Sequence, residues 1–429
     1  MKRNRLPEKS RLVLFLLSSG SDEENMRCIS KYLLERDASY EVKGLAIERH
    51  QPGDGETVLN IWNYSNRNPV EVLSRLNPGV MVTGDDSGIP YRAFVEAAKF
   101  LDVPTLLLVS GVTGRMPFSV ENFKGGLWLA QHWRSTFERS QLLWASLRST
   151  RYSPLQAAWF TVRLFVGKFY HPYLSGKSGC SRIAVPGDYA RNLFIEQGVP
   201  PDSIVITGQP RFDGILSKSF DRTAFRKQLK LAPDKPVVSL LTDAQVEHRL
   251  WTARRRRDFI SKVLVSFSEL PEAQFVIKIH PHESPTDYQR AVREKGWDIP
   301  VSKDIPLHEL INASDVVLTG VSTTGLETLI FNKPLIILNF YNQAEYIPYV
   351  SSGVAVGVDK ARELPAAIRK VLRDPQTKEK TACNRETFLH QHFYLQDGKA
   401  SQRVSNLILE VAKKRFEQPQ EIQEGMSDD

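Results

Sequence analysis

The stretch SDVVLTGVSTTGLETL, residues 314–329, carries the strongest structural signal in this chain. Apolar residues predict a buried strand, a glycine follows, and three hydroxyl residues then precede a helix with Glu327 in its first turns. A strand that leads through a tight turn into a helix is the repeating unit of a parallel α/β sheet. The helix start also offers backbone N–H groups and a positive dipole end, which suit a phosphate.

Five residues of this stretch form the first predicted binding group: Gly320, Ser322, Thr323, Thr324 and Glu327. A carboxylate one turn into the helix can accept the hydroxyls of a ribose, so the group predicts a nucleotide diphosphate ligand. Simple helix capping is the alternative, because a cap uses the same N–H groups. Three consecutive hydroxyls exceed what a cap needs, and we therefore favour the phosphate.

Short apolar strands alternate with helices along both halves of the chain, as in LVLFLL at residues 12–17. Continuous apolar strands indicate a sheet that is covered on both faces. The turn APDKP at residues 232–236 predicts a boundary between two domains. We predict an α/β chain of two Rossmann-like doubly wound domains with an interdomain cleft that binds ligand. The predicted parts are residues 1–230, with a basic and aromatic helical insert at 126–182, residues 231–416, and a disordered tail at 417–429.

Composition narrows the class of protein. The chain has 41% hydrophobic and 25% charged residues, which is typical of a soluble globular protein. Its three cysteines form no CxxC pair, which favours a reducing compartment and predicts neither a disulfide framework nor a zinc site. The run at residues 12–17 is too short to span a bilayer, and no small-residue cleavage site follows it. We expect a cytoplasmic protein.

The net charge of +8 is concentrated in the insert. Residues 126–182 contain eight Lys or Arg residues and one Glu, together with four of the seven tryptophans. Basic residues interleaved with Trp and Tyr fit an anionic membrane surface. An ordinary helical layer with inward aromatics and solvated arginines is the alternative, and no nucleic-acid motif supports a nucleic-acid partner.

The segment VIKIHPHE ends a second predicted strand of the later domain. Strand alternation places Lys278 and His280 on one face, and Pro281 ends the ladder, so His280 lies at the carboxyl end of the strand. An imidazole there can donate to a phosphate or act as an acid or base. A strand-end histidine satisfied by backbone is the alternative. Thr242 follows the preceding strand and is predicted to line the same cleft.

Two motifs of the first domain complete the candidate set. In TGQPRFD, Gly208 permits close backbone approach and Arg211 supplies a cation, whereas Asp213 fits a structural role. In VTGDDSG, Asp85 and Asp86 follow a strand and could supply a general base. An Asx turn that caps the next helix explains the two acids equally well.

A basic run follows the first strand of the second domain. It comprises His248, Arg249 and Arg254–Arg257. Four successive arginines circle a helix, so at most one or two of them can face a ligand such as a pyrophosphate. We expect the others on a solvated or membrane-facing surface.

Four motifs in order resemble the GT-B superfamily of glycosyltransferases. The likeness is strongest to bacterial surface-polysaccharide enzymes related to the CDP-glycerol glycerophosphotransferases and to the non-hydrolysing UDP-N-acetylglucosamine 2-epimerases. It covers roughly residues 182–404, with weaker similarity at 79–111. The motifs are VPGDYARNLFIEQGVPPDSIVITGQPRFD, KIHPHE, SDVVLTGVSTTGLETL with NKPLIIL, and YLQDGKASQRV.

The resemblance implies roles for the residues already singled out. It assigns the His280 loop and the turn 320–324 to donor phosphates and Glu327 to the ribose, and it sets Gly208 and Arg211 at the crevice. Where the epimerases carry Glu-Ala-Gly and the glycerophosphotransferases Gln-His-Gly, this chain has Val109, Ser110 and Gly111. The departure argues against epimerase chemistry and leaves the identity of the base open.

We therefore predict a glycosyltransferase that moves a sugar or related group from a UDP- or CDP-type donor to a surface-glycan or lipid-linked acceptor. Asp85, Asp86 and His280 are the predicted catalytic residues. The donor is a co-substrate, and we expect no bound cofactor or metal, no nucleic-acid partner, and peripheral contact with the inner face of the cytoplasmic membrane through residues 126–182. A nucleotide-sugar 2-epimerase and a non-catalytic nucleotide-sugar binding protein are the alternatives.

Overall fold

A computed structural model describes most of the 429-residue chain. The described residues are 10–17, 20–47, 57–61, 64, 68–109, 137, 139–170, 175–247 and 250–417. They divide into two compact units. The first takes the described residues up to 216 and from 393 onward, and the second takes residues 217–392.

The first unit contains a sheet of seven parallel strands. They are β1 (Leu12–Leu17), β2 (Glu41–Ala46), β3 (Val58–Asn60), β4 (Val80–Thr83), β5 (Thr105–Leu108), β6 (Arg182–Val185) and β7 (Ile204–Ile206). Their order across the sheet is β3-β2-β1-β4-β5-β6-β7, with β1 paired to both β2 and β4. The chain order therefore reverses at β1, which is the switch point of a Rossmann-type sheet.

Helices cover both faces of this sheet. The helices of this unit are α1 (Gly20–Arg36), α2 (Pro69–Leu76), α3 (Ile89–Phe100), α4 (139–148), α5 (Pro154–Tyr170), α6 (Asp188–Glu196), α7 (Pro210–Ser217) and the C-terminal α15 (Ala400–Glu417). One core packs Phe94 and Phe194 against the sheet, and the other packs Ile29 and Ile408 against the opposite face. Burial on both faces explains why every residue of β1 and β4 is buried.

The second unit repeats this plan with six parallel strands. They are β8 (Val237–Leu241), β9 (Gln274–Lys278), β10 (Val301–Ser302), β11 (Val316–Thr319), β12 (Leu335–Leu338) and β13 (Val356–Val358). Their order is β10-β9-β8-β11-β12-β13. The helices are α8 (Arg222–Gln228), α9 (Ala253–Ser268), α10 (Thr286–Glu294), α11 (Leu307–Ala313), α12 (Thr324–Ile330), α13 (Leu364–Arg373) and α14 (Pro375–Phe393).

The predicted fold class, α/β with two Rossmann-like doubly wound sheets, is confirmed. The compact units differ from the predicted domain limits in two places. Helix α8 lies in the second unit, and α15 lies in the first, because Val404, Ile408 and Val411 are buried in the core beneath α1. The predicted disordered tail begins at residue 417, and residues 418–429 lie outside the described ranges.

Candidate functional site

The sequence-predicted residues of the second unit gather at the carboxyl edge of its sheet. The loops after β8, β9, β11 and β12 begin at Thr242, Ile279, Gly320 and Asn339. Because the strands are parallel and adjacent, these loops emerge at one edge, where open α/β sheets bind ligands. The loops are also linked directly, since Gln245 accepts from Gln343 at 3.3 Å and donates to Asp243 at 2.9 Å.

Gly320 is required by close packing at this edge. A Cβ at this position would collide with the carboxylate of Asp243, which lies in the loop after β8. Burial raises the pKa of that carboxyl, although part of the residue is exposed. The glycine therefore lets the β11 turn sit directly on the β8 loop.

Two tyrosines from the loop after β12 hold the carbonyl groups of the turn. The Tyr346 hydroxyl donates to the Val321 carbonyl, and the Tyr349 hydroxyl donates to the Ser322 carbonyl at 2.6 Å. Tyr349 is fully buried, and a Cβ at Gly325 would lie 2.6 Å from its ring. Burial raises the pKa of Tyr346 to about 12, so it stays a hydrogen-bond donor at neutral pH.

The amide groups of the turn are placed to meet a ligand. Among the described residues, no acceptor lies within hydrogen-bond reach of the N–H groups of Val321, Ser322 and Thr323. The Thr324 hydroxyl donates to Ser322 Oγ at 3.0 Å, and Thr323 makes no side-chain cap to α12. The capping alternative is thus only weakly used, and three N–H groups at the start of α12 have no protein acceptor among the described residues.

Glu327 is buried and contacts a histidine that the sequence analysis did not select. Its Oε2 lies 3.0 Å from His308 Nε2 on α11, and the imidazole packs near Phe220 and Phe331. Nothing in the local sequence joins residues 308 and 327, because the contact depends on how α11 and α12 pack.

The His280 loop is ordered by its own hydrogen bonds. The His280 N–H donates to Thr242 Oγ1 at 2.9 Å, and the His282 N–H donates to His280 Nδ1 at 3.2 Å. A neutral ring that accepts at Nδ1 carries its proton on Nε2, which makes Nε2–H the donor. His280 is half-buried and His282 is exposed.

Beneath this loop lies Glu283, which is almost completely buried. Its carboxyl accepts from the Thr242 hydroxyl and from Tyr288 at 3.1 Å, and Arg256 approaches to 3.7 Å. Burial raises the pKa of Glu283 to about 7. Thr242 therefore acts as a bridge between the buried carboxyl and the backbone of His280.

The arginine run behaves as its helical spacing predicts. Arg256 is buried and pairs with Glu247 at 2.7 Å and with Asp287 at 3.1 Å, whereas Arg254, Arg255 and Arg257 are exposed. His248 and Arg249 lie outside the described residues. Lys278 Nζ donates to the Lys303 carbonyl at 2.8 Å, and burial lowers the pKa of Lys278. Its predicted role in donor binding stays a prediction.

In the first unit, the TGQPRFD motif holds the C-terminal helix. Asp213 accepts from the N–H groups of Ala400 at 3.1 Å and Ser401 at 2.6 Å, and so caps α15. Arg403 donates to the Thr207 carbonyl at 2.7 Å. Gly208 has φ +81° and faces Ala400 closely. The structural role expected for Asp213 is therefore observed.

Arg211 lies at the start of α7. Its backbone N–H donates to Asn25 Oδ1 at 3.1 Å, and its guanidinium lies over the Phe212 ring. The predicted ligand-binding roles of Gly208 and Arg211 stay predictions.

The two acids of VTGDDSG have different environments. Asp85 is partly exposed and accepts from the N–H groups of Ser87 at 2.8 Å and Gly88 at 3.1 Å, which is the Asx turn before α3. Asp86 is fully buried and accepts from the N–H groups of Gly176 at 2.8 Å and Ser178 at 3.1 Å. The geometry gives Asp86 a structural role in the loop before β6, and the catalytic assignment of both residues stays a prediction.

A cavity of about 660 Å³ lies away from these residues, at the amino edge of the second sheet. Its lining includes Leu229, Phe267, Gln274 and Trp297. No predicted site residue lines it. We place the candidate site at the carboxyl edge instead, because the loops after β8, β9, β11 and β12 emerge there from adjacent parallel strands.

Two negative findings apply to the described part of the chain. No three His, Cys, Asp or Glu side chains there converge to hold a metal ion. Within the same residues, every helix is too short or too polar to cross a bilayer.

Comparison with solved structures defines the fold. The S. aureus MnaA–UDP structure matches 95% of this chain and 98% of that protein, with a TM-score of 0.60 and 15% identity. The wall teichoic acid polymerase TagF, soaked with CDPG, matches 96% of this chain and 91% of that protein, with a TM-score of 0.59 and 13% identity. The chain is a GT-B-type protein by fold.

The sequence comparison then gives the family. A profile of the CDP-Glycerol:Poly(glycerophosphate) glycerophosphotransferase family matches residues 183–410, and the chain belongs to this family. A lipid-A-disaccharide synthase of Pseudomonas syringae pv. syringae is 29% identical over 202 residues, which are 46% of this chain and 48% of that protein. The one from Methylobacillus flagellatus is 26% identical over 168 residues, or 37% and 43%. The chain thus spans less than half the length of these relatives.

Proposed function

We propose that this chain is a glycosyltransferase that moves a sugar, or a related group, from a nucleotide-activated donor to a surface-glycan or lipid-linked acceptor. The observation that carries the proposal is the turn 320–324, where backbone N–H groups without protein acceptors among the described residues meet at a helix start. Membership of the glycerophosphotransferase family and the similarity to enzymes named lipid-A-disaccharide synthases support it.

The donor diphosphate binds at the turn in this proposal. The N–H groups of Ser322 and Thr323 donate to phosphate oxygens, together with the Ser322 hydroxyl, whose oxygen accepts from Thr324. His280 Nε2–H adds a further donor. Glu327 accepts the ribose hydroxyls, with His308 orienting its carboxylate. The named ligands of two structural neighbours, UDP and CDPG, are in keeping with a UDP- or CDP-type donor.

Transfer then proceeds by displacement at the anomeric carbon. The bond from the sugar to the diphosphate breaks, and the acceptor hydroxyl gives its proton to a base. The fixed donors at the turn stabilise the charge that develops on the leaving diphosphate. Asp85 is our candidate base because it is partly exposed, whereas Asp86 is fully buried. We further propose that the protein works at the inner face of the cytoplasmic membrane, where a lipid-linked acceptor is reached.

Product analysis tests this function. The full chain is incubated with UDP- and CDP-activated sugars, with and without a bacterial membrane extract as acceptor. We expect release of the nucleoside diphosphate that depends on acceptor. Glu327→Gln should lower apparent donor affinity about tenfold, as expected for loss of a charge-assisted hydrogen bond, while the exposed Glu294→Gln should have no effect.

Three outcomes would contradict the proposal. Isomerisation of the sugar with donor alone would establish an epimerase. Tight donor binding without turnover in any extract would establish a binding protein. Release of nucleoside monophosphate from a diphosphate donor would mean that transfer occurs through phosphorus and not through the anomeric carbon.

A further inference from the structure

Helix α5 has two faces of opposite character. Its inner face carries Ala157, Phe160 and Leu164, which pack against the cluster formed with Ile89 and Leu143. These positions follow the spacing i, i+3, i+7 and share one side of the helix. Packing against α3 and α4 therefore fixes which face of α5 turns outward.

The outer face is also apolar. It carries Leu155, Trp159 and Val162, whose exposed fractions are 84%, 70% and 53%. The spacing i, i+4, i+7 places them in one line, which we call the outer stripe. A line of large exposed apolar side chains marks an interaction surface, because single exposed residues are ordinary but contiguous ones are not.

The charged residues of the segment that carries the outer stripe have one sign. Residues 139–170 include five Lys or Arg residues and neither Asp nor Glu. Arg148, Arg151 and Arg163 of this segment are exposed. An apolar line on a segment whose only charges are basic matches the physical pattern of a helix that lies in a lipid interface.

We propose that the outer stripe of α5 docks flat on an anionic phospholipid leaflet. Leu155, Trp159 and Val162 enter the boundary between headgroups and acyl chains, while Arg151 and Arg163 contact lipid phosphates. This inference deepens the membrane part of the proposed function by naming the surface and the lipid charge. It rests on the proposed function only for the location of the acceptor, since vesicle binding requires neither donor nor turnover.

Charge favours a membrane over a second copy of the chain. A two-fold interface built on the stripe would bring Arg151 and Arg163 of two protomers near one another without any acidic residue from 139–170 to neutralise them. Anionic headgroups supply that neutralisation. The interior of a leaflet also accepts Leu155 and Val162, for which a nucleic-acid backbone has no complementary surface.

Vesicle co-sedimentation with the purified full chain tests the docking surface. We expect binding to vesicles of phosphatidylglycerol and phosphatidylcholine in low salt, with little binding to phosphatidylcholine alone. The double variant Leu155→Ser/Trp159→Ser should bind about tenfold more weakly, because the apolar term is removed. Arg151→Gln/Arg163→Gln should reduce the dependence on anionic lipid. The matched control is Val265→Ser, another exposed apolar residue on a helix of the second unit, and it should bind as the parent does.

Folding and activity controls keep the test decisive. Each variant should keep the circular dichroism spectrum of the parent, which shows that it is folded. Each should also keep the parent's nucleotide-induced rise in melting temperature, which separates a loss of donor binding from a loss of vesicle binding. Unchanged vesicle binding in the Leu155→Ser/Trp159→Ser variant would overturn the proposal. A parent dimer in sedimentation equilibrium that the same variant dissociates, without vesicle binding by either, would assign the stripe to a second copy and overturn it too.

Discussion

Glu283 is the side chain whose ionisation the fold shifts most clearly near the candidate site. Its folded-state pKa of about 7 exceeds the ordinary value of 4.5, because the carboxyl is buried. Between these two values the folded state binds more protons than the unfolded state, so stability falls as pH rises. The contribution of neutral Glu283 is therefore complete below pH 4.5 and is lost as pH rises through about 7.

The variant Glu283→Gln tests this linkage. The amide cannot ionise, so the variant should gain stability relative to the parent when the pH is raised from 5 to 8. The full shift in the pKa of Glu283 corresponds to at most about 3 kcal/mol in the free energy of unfolding. Denaturant unfolding at both pH values measures the difference in the free energy of unfolding. If the free energies of unfolding of variant and parent differed by the same amount at pH 5 and at pH 8, the fold would not hold this carboxyl protonated.

Asparagine substitutions at the two acids after β4, Asp85 and Asp86, should have different effects. Asp85→Asn keeps the oxygen that accepts in the Asx turn before α3, so the fold should persist while acceptor-dependent turnover falls at least a hundredfold if Asp85 is the base. Asp86→Asn places an amide against the N–H donors of Gly176 and Ser178, which should cost about 2 kcal/mol of stability. Melting curves and initial rates measure both. Full activity in the Asp85→Asn protein would remove that residue from the mechanism.

Local structure could be predicted where it depends on neighbouring residues in the sequence. The turn from Gly320 to Thr324 could be found because the strand, glycine, hydroxyls and helix follow one another. The partner of Asp86 could not, since it lies 90 residues away in the loop 175–178. The contact between His308 and Glu327 was missed for the same reason. Such pairs are set by tertiary packing and leave no periodic pattern in the sequence.

At the scale of one element, the turn before α12 depends on the loop after β12. The hydroxyls of Tyr346 and Tyr349 hold two consecutive carbonyls and so fix the orientation of the peptide groups that present the N–H donors. The sequence gives no sign of this support, because the tyrosines follow another strand. Preorganised donors bind an anion better than mobile ones, since less ordering is needed on binding.

Tyr349→Phe should loosen the turn without removing any proposed ligand contact. We expect a loss of about 1 kcal/mol in stability and a fall of roughly fivefold in affinity for UDP or CDP. Tyr152→Phe, which removes a hydroxyl bonded to Glu96 in the first unit, is the control and should leave affinity unchanged. Calorimetric titration measures both. Equal affinities in the two variants would argue that the tyrosine does not organise the donor site.

Helix α15 depends on a buried cap from α7. Asp213→Ala should cost about 2 kcal/mol, because it removes the acceptor for two N–H groups in a buried place. Asp221→Ala removes an exposed cap of α8 and should cost no more than ~1 kcal/mol. Thermal unfolding compares them. A smaller loss for Asp213 than for Asp221 would contradict the assigned role.

Most helices and strands could be predicted, because the strands are continuous apolar runs and the helices between them have clear end signals. Helix α14 was missed, although it is 19 residues long, because its sequence is polar and shows little periodicity. Asp374 is a usable signal for the start of this helix. It precedes Pro375 and accepts from the backbone N–H groups of Gln376 and Thr377. The short edge strands β3 and β10 were missed because two or three residues carry no alternation that could be recognised.

At the scale of the whole chain, the two sheets share one strand order, although the sequence shows no repeat. Both β4 and β11 occupy the fourth place of a Rossmann-type order, and each ends in a threonine that a glycine follows. In each case a Cβ on the glycine would collide with an aspartate, Asp22 for Gly84 and Asp243 for Gly320. The shared packing rule shows why one residue type recurs at both edges.

Hydrogen exchange with and without UDP or CDP tests the central claim most directly. The claim is that a nucleoside diphosphate binds the amide groups at the start of α12, next to His280. We expect protection in peptides that cover residues 320–327 and 279–283, and unchanged exchange in peptides around the amino-edge cavity at 229–231 and 296–300. Protection confined to that cavity, or bound nucleotide with no change at 320–327, would contradict the account.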